Sequence, residues 1–215
     1  MISEKEDLQA QGPWGSSSSF GYTVWNNNSL SKYFVNKIPY AFEYTDIQAR
    51  IGYSHTAYPV LTTDLTLLVR AEANAMLGKY AEAVQDLNTE VKAFSGGNLS
   101  VTLTGIQDFY RGINYYTPTE PTPKKKFHTA FSIESTTQEP ILQAILQLRR
   151  IMTVGEGWRL QDVKRYGIVM YRRTLNDSRK VIVVTDTMKE DDPRRAIQLP
   201  QDVITAGLPA NPRNK

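Results

Sequence analysis

The 215-residue sequence contains no cysteine, which excludes disulfide frameworks, thiolate metal sites and cysteine nucleophiles. A cysteine that could carry a lipid anchor is absent from it as well. Histidine is nearly as rare, because His55 and His128 are the two that the sequence has. They lie far apart and have no ligand-like neighbours, so histidine catalysis has little support. We therefore predict no metal site and no cofactor.

Long hydrophobic runs are also missing. No stretch approaches the roughly 18 apolar residues that a membrane-spanning helix needs. The first residues, Met1 to Asp7, are polar and do not have the apolar core of a signal peptide. We expect either a cytoplasmic protein or one whose exporting segment lies upstream.

Positive charge is in small excess: the formal net charge is +3, and 22% of the residues are charged. A nucleic-acid binder usually concentrates its positive charge on one face, so we expect no nucleic-acid partner. The sequence has no phosphate-binding glycine loop and no Gly-x-Ser-x-Gly motif. The adjacent carboxylates of Asp191 and Asp192 would point to opposite faces of an extended segment. These absences predict a protein that is not an enzyme.

What is present begins with aromatic residues. Residues 1–60 hold 11 of the 22 aromatic residues, among many glycines, serines and asparagines. Helical periodicity is poor there, which predicts loops and short extended pieces. We therefore expect residues 1–60 to be a loop-rich aromatic segment and residues 61–215 to be a helical domain.

Two helix pairs are predicted in the second part. Thr63-Asp64 begins the first, Gly78 separates its helices, and the second helix runs from about Tyr80 to Phe94. Small residues on both helices favour close antiparallel packing, as in a tetratricopeptide unit. A second pair begins near Thr137 and ends near Gly167, with a turn at Gly155 and Gly157.

Shorter elements complete the prediction. A short helix is expected from about Gly105 to Gly112, a strand at Val181–Val184, and a last helix at Gln201–Ala206. Lys124–Lys126 stands beside prolines and is interpreted as a solvated loop. The predicted fold is mainly α, with tetratricopeptide-like helix pairs, irregular loops and a short β element.

A basic block runs from Arg149 to Arg173, with seven basic and two acidic residues. One interpretation of this block is a solvated basic helix. A second is a DNA-recognition helix, but the block contains no base-reading motif. We favour charge pairs that fix helix packing, because bidentate arginine–carboxylate geometry does this well. The residues expected to form these structural charge pairs are Arg149, Arg150, Glu156, Arg159, Asp162 and Arg165.

Three stretches of the sequence carry a family resemblance. Residues 148–168 read LRRIMTVGEGWRLQDVKRYGI, residues 62–88 read TTDLTLLVRAEANAMLGKYAEAVQDLN, and residues 191–214 read DDPRRAIQLPQDVITAGLPANPRN. In this order they resemble the SusD/RagB family. Leu160 and Gln161 stand where the family commonly has an aromatic pair. The resemblance spans residues 62–214, so we expect the chain to be the C-terminal portion of such a protein, with residues 1–60 as the remnant of a larger domain.

The resemblance implies a function. Members of the family are surface-exposed lipoproteins of the outer membrane of Bacteroidetes, and they take part in polysaccharide utilization. They bind an oligosaccharide or sometimes a peptide and deliver it to a SusC-like TonB-dependent transporter. The alternative is a cytoplasmic helical-repeat module that binds a protein partner. That alternative would explain the helix pairs but not the motifs at residues 148–168 and 191–214.

The family's ligand residues follow no shared motif, so candidates come from chemistry. Flat aromatic rings cover the apolar faces of sugars, while polar side chains bind their hydroxyls. Trp14, Tyr22 and Trp25 stand in a segment with both kinds of residue and are our ligand-binding candidates. The competing interpretation is that these rings belong to the hydrophobic core.

Overall fold

The computed structural model describes residues 11–15, 24–27, 32–35, 41–57, 59–176 and 180–213. These residues fall into two compact units, one ending at Leu103 and one beginning at Thr104. The boundary expected at residue 60 lies within the first unit and stays a prediction.

The first unit contains two antiparallel hairpins. Strand β1 (Val24–Asn27) pairs with β2 (Lys32–Val35), and β3 (Ala41–Asp46) pairs with β4 (Ile51–His55). The turn between β3 and β4 is stabilised by Asp46, whose Oδ1 accepts a 2.8 Å hydrogen bond from the backbone of Ala49. The short extended pieces expected here are thus paired strands.

A helix pair follows the hairpins. Helix α1 (Thr63–Met76) begins where Thr62 Oγ1 accepts a 3.2 Å hydrogen bond from Leu65 N, and α2 spans Tyr80–Phe94. The two helices are joined by Arg70, which donates to both carboxylate oxygens of Asp86 at 3.0 and 2.7 Å. Their buried apolar residues are Leu68, Ala71, Ala75, Ala83, Leu87 and Val91. The predicted small-residue helix pair is confirmed.

Three more helices come next in the chain. Helix α3 spans Leu103–Gly112, α4 spans Gln138–Met152, and α5 spans Arg159–Arg165. Helix α4 is buried almost all round, and its polar residues find partners inside, as where the Tyr110 hydroxyl donates to Gln147 Oε1 at 2.7 Å. Helix α5 has seven residues and is shorter than the sequence predicted.

The remaining elements are short. Strands β5 (Met170–Leu175) and β6 (Val181–Met188) form an antiparallel hairpin. A 3-10 turn at Pro193–Arg195 and helix α6 (Gln201–Thr205) follow. A mainly α fold with short β elements is confirmed.

One local prediction was wrong. Lys125 is 7% exposed, and its backbone N–H donates to Gln143 Oε1 at 2.9 Å. The lysine run is therefore anchored to α4 rather than solvated throughout, although Lys126 is exposed. Its neighbour Lys124 is half-buried and belongs to the site described below.

Candidate functional site

A concave site lies in the second unit, between α3, the segment that follows it, and the beginning of α4. Its volume is about 250 Å³. We call it the tyrosine pocket, after the half-exposed ring on its wall. Its polar lining includes Gln107, Arg111, Tyr115, Lys124, Glu139 and Gln143.

Tyr115 and Glu139 form the centre of the tyrosine pocket. The Tyr115 hydroxyl donates to Glu139 Oε1 at 2.7 Å, and Gln143 Nε2 donates to the same oxygen at 3.4 Å. Partial burial, together with this carboxylate, raises the pKa of Tyr115 to about 12. The hydroxyl therefore stays protonated at neutral pH and holds the Glu139 side chain in place.

The ammonium group of Lys124 lies over one face of the Tyr115 ring. Its Nζ lies 4.3 Å from the ring centroid, a cation–π distance. The same ammonium group donates to the carbonyl oxygens of Tyr110 at 2.6 Å and Ile113 at 3.4 Å. These contacts tie the segment after α3 to the end of that helix.

A second arrangement holds the same segment from strand β5. Arg173 donates through Nη1 to the Tyr116 hydroxyl at 2.7 Å, through Nε to Pro118 O at 2.6 Å, and through Nη2 to Thr117 O. Lys125 Nζ lies 3.5 Å from the centroid of the Tyr116 ring. We call Lys125, Tyr116 and Arg173 the cation stack. It fixes the chain immediately after Tyr115.

The beginning of α4 forms another wall of the tyrosine pocket. The Glu134 carboxylate accepts hydrogen bonds from the backbone of Thr136, of Thr137 at 2.7 Å and of Gln138 at 3.1 Å. Gln107 Nε2 from α3 donates to Thr136 O at 3.1 Å. The backbone donors lower the pKa of Glu134 to about 2, since they stabilise the ionised form.

The stabilisation that the Glu134 carboxylate gives through these hydrogen bonds depends on pH. Because the Glu134 pKa falls from 4.5 to about 2 on folding, its stabilisation is present above pH 4.5 and is lost as the pH falls toward 2. We expect Glu134→Gln to lower the free energy of unfolding by less than about 1 kcal/mol at pH 7, because the carboxylate is exposed to solvent and glutamine keeps one acceptor oxygen. Urea denaturation from pH 7 to pH 2.5 should show the difference from wild type shrinking with acid. The exposed Glu190→Gln serves as control, and a difference constant with pH would contradict the prediction.

Exposed aromatic rings lie on both faces of the hairpin of β3 and β4. Phe42, Tyr44 and Tyr53 are 39%, 53% and 52% exposed, and Phe42 meets Tyr44 edge-to-face with centroids 4.9 Å apart. The Tyr53 hydroxyl donates to Glu43 Oε2 at 2.9 Å across the hairpin. Phe42 and Tyr44 share one face of the hairpin, and Tyr53, which pairs with Glu43, lies on the other, so the three rings do not form one surface.

The predicted ligand residues lie elsewhere in the first unit. Trp14 is 4% exposed, in the turn between Gly12 and Gly15, and a Cβ at Gly12 would come within 2.3 Å of its indole ring. Trp25 lies in β1, opposite Phe34. Tyr22 lies outside the described residues. Their role in binding stays a prediction.

The residues predicted to form charge pairs surround α5. Arg149 Nη1 lies 2.6 Å from Asp162 Oδ1, with side chains only 7% and 5% exposed, and Arg159 Nη1 lies 3.9 Å from Asp162 Oδ2. Arg165 lies over the Phe131 ring, 5.5 Å from its centroid. Arg150 and Glu156 are half-buried, and the Glu156 backbone donates to Thr153 O at 3.1 Å in the turn before α5. The stabilising role of this cluster stays a prediction, taken up in the Discussion.

Comparison with known proteins gives one match. The family model described as the SusD family matches residues 7–205, and this range includes the aromatic segment for which the sequence motifs gave no resemblance. Searches of the curated proteins and of the solved structures find no significant match. Among the described residues, no helix is both long enough and apolar enough to cross a membrane.

Proposed function

Because the chain belongs to the SusD family, we propose that it binds a glycan nutrient and passes it to a SusC-like TonB-dependent transporter. The family is known for nutrient and glycan binding and is not catalytic. In this proposal the protein works at the outer membrane as a surface-exposed lipoprotein, with a peptide as the alternative ligand. The match over residues 7–205 is the observation that carries the proposal.

The tyrosine pocket supports it with suitable chemistry. A sugar presents an apolar face and a rim of hydroxyls, which need a flat ring beside hydrogen-bonding side chains. Tyr115 supplies a ring that is 38% exposed, while Glu139 supplies carboxylate oxygens and Arg111 supplies N–H donors.

In the described part of the chain, the acidic groups that line the tyrosine pocket are too few for ordinary glycoside hydrolysis, which favours binding. Glycoside hydrolases ordinarily place two carboxylates on either side of the bond they cleave. Among the described residues that line the tyrosine pocket, Glu139 is the one carboxylate. A single acid whose Oε1 accepts from Tyr115 suits recognition of a hydroxyl.

The test is a glycan array, followed by isothermal titration of the intact protein with each glycan that scores. We expect saturable binding and no change in the length of the glycan after prolonged incubation. Failure of every glycan and peptide to bind would contradict the proposal. Capture of a soluble protein in place of any glycan would favour the helical-repeat module. Shortened products would show an enzyme.

The tryptophans are tested in the same titration. If a ring stacks on the sugar, Trp14→Ala or Trp25→Ala should weaken binding about fivefold or more, since a ring contact contributes about 1 kcal/mol. Circular dichroism checks that each variant is folded. A folded variant with unchanged affinity would remove that tryptophan from the site.

A further inference from the structure

We infer that the tyrosine pocket holds one neutral sugar ring at the end of the glycan, rather than an internal stretch of the chain. The inference rests on the proposed glycan-binding function and deepens it, because it states which part of the ligand the pocket recognises. Its support comes from the volume, the hydrogen-bonding groups, the charge balance and the fixed walls of the pocket.

The volume limits the ligand to about one ring. At about 250 Å³, the tyrosine pocket lies below the range of about 300–1,000 Å³ that is typical for drug-sized ligands. Its floor is closed by Tyr110 and Gln143, which are 1% and 2% exposed. An extended oligosaccharide would suit an open surface, such as the exposed rings of Phe42 and Tyr44 on one face of the β3–β4 hairpin, better than this closed floor.

The free hydrogen-bonding groups suit adjacent hydroxyls of a ring. Among the described residues, Tyr115 and Gln143 donate to Glu139 Oε1, which leaves Glu139 Oε2 as an acceptor for a ligand. Asp108 binds Arg111 through Nη1 at 2.9 Å, which leaves Nε and Nη2 of Arg111 as donors. The acceptor on Glu139 and the donors on Arg111 line the same pocket. They suit two adjacent sugar hydroxyls, since each hydroxyl can both donate and accept a hydrogen bond.

The charges around the tyrosine pocket favour a neutral sugar. Arg111 and Lys124 are balanced by Glu139 and by Asp108, the partner of Arg111. The Lys124 ammonium already donates to two backbone carbonyls and lies over the Tyr115 ring. No positive charge is therefore left over for the carboxylate or sulfate of an acidic sugar, whose desolvation would be uncompensated.

The walls of the tyrosine pocket are fixed before any ligand arrives. The cation stack holds the chain next to Tyr115, and Gln143 donates to Lys125 O and accepts from Lys125 N at 2.9 Å. A ligand that enters such a site orders few side chains, so little of the binding energy is lost to entropy. A single ring can then bind measurably.

The experiment uses the intact protein and named probes. Glucose, galactose, mannose, xylose and galacturonate are titrated singly and then as competitors against the neutral oligosaccharide that binds most tightly in the array. We expect one neutral monosaccharide to bind and to displace the oligosaccharide completely, and galacturonate to bind at least tenfold more weakly. Full affinity for the oligosaccharide without displacement by any monosaccharide would overturn the inference and leave the proposed function standing.

Two variants locate the binding. Glu139→Gln and Arg111→Gln should each weaken oligosaccharide binding about tenfold or more, because each variant loses a hydrogen bond to a charged group. The Arg111 side chain is exposed, so its variant keeps the fold even where Glu139→Gln disturbs it. Glu190→Gln is the matched control and should bind as wild type does. Wild-type affinity in both pocket variants would place the ring elsewhere, whereas failure of every glycan and peptide to bind wild type would contradict the proposed function itself.

Discussion

Replacing Asp162 with asparagine is expected to lower the free energy of unfolding by about 3–5 kcal/mol, the usual cost of breaking a buried ion pair. The Arg149 guanidinium is buried on α4 and lies 2.6 Å from Asp162 on α5. The variant would remove the carboxylate charge that lies 2.6 Å from this buried guanidinium. Because α5 has only seven residues, too few for a stable isolated helix, this contact with α4 is central to its position. Denaturation in urea measures the change.

A matched control separates burial from charge pairing as such. Asp108 and Arg111 form a pair of similar length, 2.9 Å, whose side chains are 61% and 68% exposed. Asp108→Asn should cost no more than about 1 kcal/mol, as is usual for exposed pairs. The double variant Arg149→Met with Asp162→Leu should recover much of the lost stability, since it removes both buried charges. Equal losses for Asp162→Asn and Asp108→Asn would show that the α4–α5 pair does not stabilise the fold as proposed.

The helices could be predicted because their signals are local. Apolar spacing predicted α2 at Tyr80–Phe94, where the structure places it. The hairpins of the first unit were harder to predict, because a strand is defined by its pairing with a second strand, which can lie at any distance in the chain. The turn after Asp46 also lacks the Asn-Gly or Asp-Gly pair that identifies a tight hairpin, and Arg50 takes a positive φ of 54° there.

The tyrosine pocket was not predicted for a related reason. Tyr115 and Glu139 are 24 residues apart, and what joins them is the path of an irregular segment. The lysine run beside the prolines looked like a solvated loop, yet Lys124 and Lys125 each lie over a tyrosine ring. The paired tyrosines before the prolines, with lysines after them, were the available signal, and it cannot be distinguished from a surface loop without tertiary contacts.

Buried and exposed arginines of the second unit are expected to have different roles, in stability and in ligand binding respectively. Arg149 and Arg195 are 6% exposed and contact neighbouring helices and chain segments. Arg111, in contrast, is exposed at the rim of the tyrosine pocket with donors to spare. Variants of the first kind should therefore change stability, and variants of the second kind should change affinity. Family motifs at residues 148–168 and 191–214 contain the first kind, and this explains why they identify the fold without identifying the ligand.

Arg195→Met is expected to lower the free energy of unfolding by about 3 kcal/mol or more, since each buried acceptor that loses its donor costs about 1–3 kcal/mol. The guanidinium donates to Lys189 O and Val163 O at 2.6 Å and to Ile168 O at 2.5 Å. It thereby ties the 3-10 turn to the end of α5 and to the segment before β5. Burial lowers the pKa of Arg195, yet an arginine stays charged at any pH at which the protein is folded.

Methionine has much of the volume of the Arg195 side chain but no hydrogen-bond donor. The variant therefore keeps most of the packing and removes the three hydrogen bonds. Arg195→Lys keeps the charge and loses the planar fork that reaches three carbonyls at once, and we expect it to recover only part of the stability. Arg172→Met, at an exposed position of β5, should change stability by no more than about 0.5 kcal/mol. Chemical denaturation of the four proteins decides the matter. If Arg195→Met is as stable as Arg172→Met, the three carbonyls are satisfied without the guanidinium, and Arg195 does not hold the end of α5.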